Sequence, residues 1–270
     1  MTGTAIPVGT RTSSHSAVPG VGGRLEARTV AVRTLDAETR ARAFALFQRS
    51  YEAADRARFE RDLSEKQLII LLRDSGSREL KGFSTVLVRE IATRRGPAMV
   101  VFSGDTVIDR AYWGQKQLQV AFSQLLLTLK LRSPRKRLYW FLISKGWRTY
   151  LLLANAFRRA VPRCDSVEDE ELRQILDAEA RERFGAQFDS ERGIIRYATP
   201  HERVRTGLAP ATEDVLRNPH VRFFVERNPG HADGDELACL AEVRTIDLIK
   251  LGARFTARAI QRPVRALCGR

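Results

Sequence analysis

Three apolar runs follow one another at hairpin spacing: QLIILLRD (67–74), KGFSTVLVREI (81–91) and AMVVFSGDTVI (98–108). The turn formers SGSREL and RRGPA separate them. Apolar runs of this length between turn signals read as buried strands, and such short connections join antiparallel neighbours. A long helix follows in DRAYWGQKQLQVAFSQLLLTLKLR, where Leu118, Phe122, Leu125 and Leu129 are spaced four, three and four apart on one stripe. SPRKR breaks it, and RLYWFLIS (137–144) is a fourth buried strand. A strand–helix–strand unit returns the chain parallel to itself, so the expectation is a mixed sheet with 112–131 packed across it. An all-helical bundle there would overturn this reading.

Around this centre, RTVAVRT (28–34) alternates like a half-buried strand, and Asp36 and Glu38 open the helical pattern AETRARAFALFQRSYEAA. WRTYLLLANAFRRA reads as a helix running to Pro162. A helical insertion is expected over 166–215, with the acidic amphipathic stretch EDEELRQILDAEARERFG and a short strand or turn at RGIIRYATP. HVRFFVERNPG and DELACLAEVRTI flank a Gly/Asp-rich turn and predict a closing hairpin over 220–246, followed by a cationic helix (247–262) and a tail (263–270). Residues 1–25, rich in Gly, Ser, Thr and Pro, read as a disordered arm lacking the apolar core of a signal peptide. One elaborated domain, 26–262, remains.

Charge narrows the partners. Lys and Arg number 46 against 32 Asp and Glu, a net +14, which favours anionic ligands or surfaces. Ten Lys/Arg and no acid fall between Lys130 and Cys164, and Lys250, Arg254, Arg258 and Arg262 recur every four residues. The bland reading is a solvated face. The sharper ones are an acidic protein or an anionic membrane, while nucleic acid is disfavoured because no binding-fold signature accompanies the charge. The longest apolar stretches are too short, or broken by Lys145 and Arg148, to span a bilayer. Cys164, Cys239 and Cys268 are far apart and form no disulfide framework, so the cytoplasm is the expected compartment.

The segment VIDRAYWGQKQL (107–118) resembles the phosphate-loop run V-x-P-x-Y-R-G-x-G of the GNAT superfamily of N-acyltransferases: Val107, Tyr112 and Gly114 match, with one residue more between Val107 and Tyr112 than the run has, whereas Trp113 and Lys116 depart. The resemblance implies a GNAT-like α/β (α+β) fold: a mixed, mostly antiparallel sheet flanked by helices, with a C-terminal helical elaboration. It also implies transfer of an acyl group from a thioester, either acyl-CoA or a phosphopantetheine-linked acyl carrier protein that the basic surface would suit, to a small-molecule or peptide amine. A non-catalytic module binding an acyl thioester or a protein is the alternative.

On that resemblance the donor is held by Val107, Tyr112, Trp113, Gly114, Gln115 and Lys116, with Ser144 and Lys145 at the end of the fifth strand and Asn155 lining the site. The physics of the loop agrees: a helix start directs unpaired N–H groups at a phosphate, and Gly114 admits it close to the backbone. The family's fourth and fifth strands part to admit the pantetheine, and Gly104 lies where a bulge is cheap. Asp105 is the expected base, Ser103 a substrate or relay-water contact, and Tyr150 the candidate acid, with core packing as its competing role. No metal is expected, because His15, His201, His220 and His231 are scattered. The His231–Asp235 run reads as a turn rather than a cation site, and Cys164, without a neighbouring base, reads as a bystander.

Overall fold

The computed structural model describes residues 22–51, 54–197 and 212–253. β1 (Leu25–Ala31), β2 (Leu68–Asp74), β3 (Leu80–Thr93) and β4 (Gly96–Ile108) form an antiparallel meander. β5 (Arg137–Ser144) runs parallel to β4. The far edge of β5 is taken by an antiparallel strand from late in the chain, β9 (Glu236–Glu242). Three two-residue strands complete the sheet: β6 (Ala160–Val161) and β8 (Ile194–Ile195) share the outer edge of β9, and β7 (Phe188–Asp189) pairs with β8. One parallel pair among antiparallel neighbours gives the mixed, mostly antiparallel sheet that the resemblance implied.

Strand alternation sends successive side chains to opposite faces, and both faces are covered. Ile70, Leu72, Leu138, Trp140 and Leu142 pack with α3 (Gln117–Arg132), α4 (Trp147–Ala156) and α7 (Pro219–Arg227). On the other face, Ile69, Leu71 and Phe83 meet α1 (Ala37–Ser50) and α2 (Arg56–Glu65), while Val100, Phe102, Tyr139 and Phe141 meet α5 (Glu170–Phe184). A short α6 (Glu213–Leu216) and a helix α8 over 245–253 complete the described elements. Among the described residues no helix is long and apolar enough to cross a membrane.

Several boundaries differ from the sequence reading. The expected hairpin over 220–246 is a helix and a strand. Asn218 accepts from His220 N–H, Pro219 takes the first turn, and Val221 and Phe224 bury one side, so α7 forms where the Phe-Phe run suggested a strand. The strand β9 is half of that expectation, yet its partner is β5. Within the 166–215 insertion the short strand expected in RGIIRYATP forms as β8, and β7, which was not expected, pairs with it and extends the sheet. Nor does the arm reach residue 25: Gly22 N–H donates to the Ala111 carbonyl at 2.7 Å and Leu25 is buried in β1. The helix before Pro162 stops at Ala156, and Ala160–Val161 is a strand. The arginines at 254, 258 and 262, the tail, and residues 1–21 lie outside the described residues.

Half of the basic stretch is spent internally. Lys136 pairs with Glu90, Arg137 and Arg159 with Glu171 and Glu242, Lys145 with Glu236, and Arg163 with Asp165. Five of the ten cations between 130 and 164 therefore answer acids on β3, α5, β9 and a nearby loop.

Candidate active site

The parallel ladder between β4 and β5 ends at Ser103 opposite Leu142. Beyond it β4 continues against β3 through Val107 and Ile108, and β5 against β9 through Ile143 and Ser144. The strands part, and a cleft of about 690 Å³ opens at the fork. A bulge shapes its β4 side. Ser103 faces Val86 and Thr106 faces Ser84, so β4 spends one more residue than β3 at Gly104–Asp105. The bulge reverses the phase of the strand: Val100 and Phe102 before it and Val107 after it lie on the same face. A Cβ at Gly104 would fall 2.6 Å from Thr85 Oγ1, so glycine is required there.

Two helix starts open on the cleft. Gly114, Lys116 and Gln119 bring the start of α3, and Gly146, Trp147 and Thr149 that of α4. Neither helix has a side-chain cap, whereas α1, α2, α5 and α7 are capped by Asp36, Asp55, Asp169 and Asn218. First-turn N–H groups without a capping side chain, at the positive end of the helix dipole, suit an anionic ligand. Gly114 has φ +87°, and a Cβ on it would meet no described atom within 4 Å, so the backbone is open to close approach. Gln119 Oε1 is buried on the same wall with no hydrogen-bond partner among the described residues.

The opposite wall is cationic and aromatic. Lys66, almost fully buried, pairs with Asp62 at 2.6 Å, and its Nζ lies 5.9 Å from the Phe102 ring. Arg183 stacks at 4.3 Å on the same ring, and burial pulls its guanidinium below the ordinary value. Lys145 Nζ sits 3.2 Å from Glu236 Oε1 and 4.7 Å from the centre of the Tyr51 ring, while Tyr197 donates to Glu236 Oε2 at 2.8 Å. His231 Nδ1 is 2.8 Å from the Asn228 carbonyl. A carbonyl only accepts, so Nδ1 carries the hydrogen and Nε2 of the neutral ring is the acceptor.

The fold brings Ser103, Asp105, Val107, Trp113, Gly114, Gln115, Lys116 and Lys145 to this cleft. Their individual settings vary. Trp113 Nε1 donates to the Ile108 carbonyl at 2.8 Å. Gln115 is a tether, because its Oε1 accepts from Leu25 N–H and its Nε2 donates to the Gly23 carbonyl. Four expected site residues lie off the cleft wall. Tyr112 is buried and donates to Asp74 Oδ2 at 2.9 Å. Ser144 is buried and donates to the Gly146 carbonyl at 2.8 Å, fixing the turn into α4. Tyr150 is fully buried, stacks on Phe223 and donates to the Pro162 carbonyl at 3.1 Å; burial holds its phenol well above the ordinary range. Asn155 is on the exposed side of α4. Sequence reasoning missed Lys66, Arg183, His231 and Glu236, which only the assembled sheet places at the fork.

No protein-family model matches the chain. No curated protein matches it either. Solved structures do. A conserved Enterococcus faecalis V583 protein described as a probable N-acyltransferase is 15% identical, covers 50% of this chain and 34% of its own, and has a TM-score of 0.37. The Escherichia coli N-acetyltransferase YhbS in complex with CoA is 15% identical over 45% of this chain and 64% of its own, with a TM-score of 0.33. Glucosamine-6-phosphate N-acetyltransferase from Arabidopsis thaliana is 12% identical over 54% of this chain and 99% of its own, with a TM-score of 0.38. The second of these is described as a GNAT-family N-acetyltransferase. The chain spans about a third of the first and just under two thirds of the second.

Proposed function

We propose that the chain is an N-acyltransferase that moves an acyl group from a pantetheine thioester to an amine. The parting of β4 from β5 carries this reading: their ladder ends at Ser103 opposite Leu142, and the fork beyond it suits an extended, strand-like arm. The starts of α3 and α4 lie at the same fork and supply N–H groups for the donor's phosphates, with Lys116 as a neighbouring charge. Acyl-CoA is the favoured donor, because the basic stretch that would greet a carrier protein is half consumed by internal ion pairs.

The attacking amine must be neutral. Asp105, half-buried at the bulge on the cleft wall, takes its proton, directly or through water. Backbone N–H groups at the fork stabilise the oxyanion formed from the thioester carbonyl. The thiolate then leaves and is protonated. Tyr150 is too deeply engaged to serve, and among the described residues the phenols on the wall are those of Tyr51 and Tyr197.

Release of free thiol from acetyl-CoA in the presence of a panel of amines tests the proposal. Amine-dependent release that Asp105→Asn suppresses supports it. Saturable CoA binding without release for any acyl chain or amine would leave a donor-binding module instead.

A further inference from the structure

A second constellation lies away from the cleft, where the loop after β6 meets the start of α7. Cys164 Sγ is 3.2 Å from His220 Nδ1, and His220 Nε2 is 3.4 Å from Asp165 Oδ2. Cys164 and His220 are 56 residues apart in sequence. The thiol is exposed, whereas the imidazole is mostly covered and rests beside the Tyr150 ring at 6.1 Å.

The arrangement is held from both sides. Arg163 donates to the carbonyls of Ala154 and Phe157 at 2.8 and 2.7 Å, which fixes it against the end of α4. It then grips both carboxylate oxygens of Asp165 at 2.7 and 2.6 Å. On α7, the His220 N–H is bound by the Asn218 cap.

The three ligand atoms are close enough to suggest a metal site. Two features argue otherwise. Sulfur and carboxylate address opposite nitrogens of one ring, so a single ion cannot take the imidazole and both partners as they stand. The Asp165 carboxylate is also already bound by a guanidinium. What the geometry does fit is a base beside a thiol, with Nε2 turned to the Asp165 carboxylate and the Nδ1 lone pair facing Sγ.

We propose that Cys164, His220 and Asp165 form a base-assisted thiol that is a site of modification by low-molecular-weight disulfides. Sγ attacks one sulfur of the disulfide as its proton passes to His220 Nδ1. The Sγ–S bond forms, the S–S bond breaks, and the departing thiolate takes the proton from the imidazolium and leaves as a thiol. Cys164 is oxidised to the mixed disulfide and the reagent is reduced. A disulfide is preferred over an acyl donor because exchange needs only an accessible thiol and a base, whereas acyl transfer also needs oxyanion donors. Partial desolvation and the Asp165 charge hold the Cys164 thiol above its ordinary range, so its reactivity depends on the base.

The test is the rate of labelling by dithiodipyridine, an uncharged disulfide, in full-length protein carrying Cys268→Ser, with the modified peptide located by mass spectrometry. Cys239 is fully buried in β9 and is silent while the protein stays folded. Labelling should fall on Cys164, slow by about tenfold or more in His220→Gly, and recover in part with added imidazole. His220→Gln, which keeps a polar side chain, serves if the glycine variant is unfolded by circular dichroism. Labelling of folded His220 variants at the wild-type rate would overturn the proposal. So would tight, stoichiometric zinc binding that shields Cys164 and is lost in each single variant.

Discussion

Trp140 Nε1 donates to Ser103 Oγ at 3.0 Å, reaching diagonally from β5 to the last residue of β4 in their ladder before the strands part. The fork is therefore closed by a side-chain pin as well as by the end of the ladder. Ser103→Ala leaves a buried indole N–H without its acceptor and should cost about 1–3 kcal/mol, seen as a lower thermal midpoint. Ser103→Thr keeps an acceptor and should largely hold it.

At Gly114 the penalty is conformational rather than steric. A side chain there meets open space, but φ +87° strains any L residue by about 1–2 kcal/mol. Gly114→Val should weaken CoA binding in calorimetry more than it lowers stability. Unchanged affinity in the folded variant would remove this loop from the donor site.

Asp105→Asn keeps the shape of the bulge and removes its basicity. Turnover should fall about 10²–10⁴-fold with donor affinity nearly intact. The defect should shrink at high pH, where free amine forms unaided. A wild-type rate across the neutral range would shift the base to another acceptor on the wall, of which His231 Nε2 is the clearest.

Tyr150 makes the opposite prediction. Its hydroxyl supports the Pro162 carbonyl, and burial keeps the phenol protonated. Tyr150→Phe should lower stability by about 1–2 kcal/mol and leave the pH profile of turnover unchanged. A lost limb in that profile would restore the residue to the chemistry.

Asp74 is held below the usual aspartate range chiefly by the Ser77 N–H, with the Tyr112 hydroxyl next. Its folded value lies under its unfolded one, so its contribution is present above the unfolded value and lost as pH falls through the folded one. Thermal midpoints measured down the acid range should decline less steeply in Asp74→Asn than in the wild type.

The central sheet is legible in the sequence because its strands are continuous apolar runs with short turns, and α3 because its stripe is unbroken. Gly104 in a strand points to the bulge. The helix α7 is not legible in the same way, because HVRFFVER satisfies either period locally, although the Asn218-Pro219 pair at its head is a start signal. Tyr112 matches the motif and Tyr150 lies only near the expected position of an acid, yet a phenol beside a carboxylate or carbonyl is decided by partners far off in sequence: Asp74 lies 38 residues from Tyr112. Glu236 and His231 can be assigned to the fork only once β9 is known to lie against β5.

The extra residue in β4 makes the strand two half-strands written in different frames. Removing Gly104 would merge the frames, and every position beyond it would exchange inside for outside. Val107 would turn away from the α1/α2 core, and Thr106 and Ile108 would trade places with their neighbours. Length at this point is thus under tighter constraint than identity at most others, and an insertion or deletion of a single codon here would erase the cleft without touching any residue proposed to act in it.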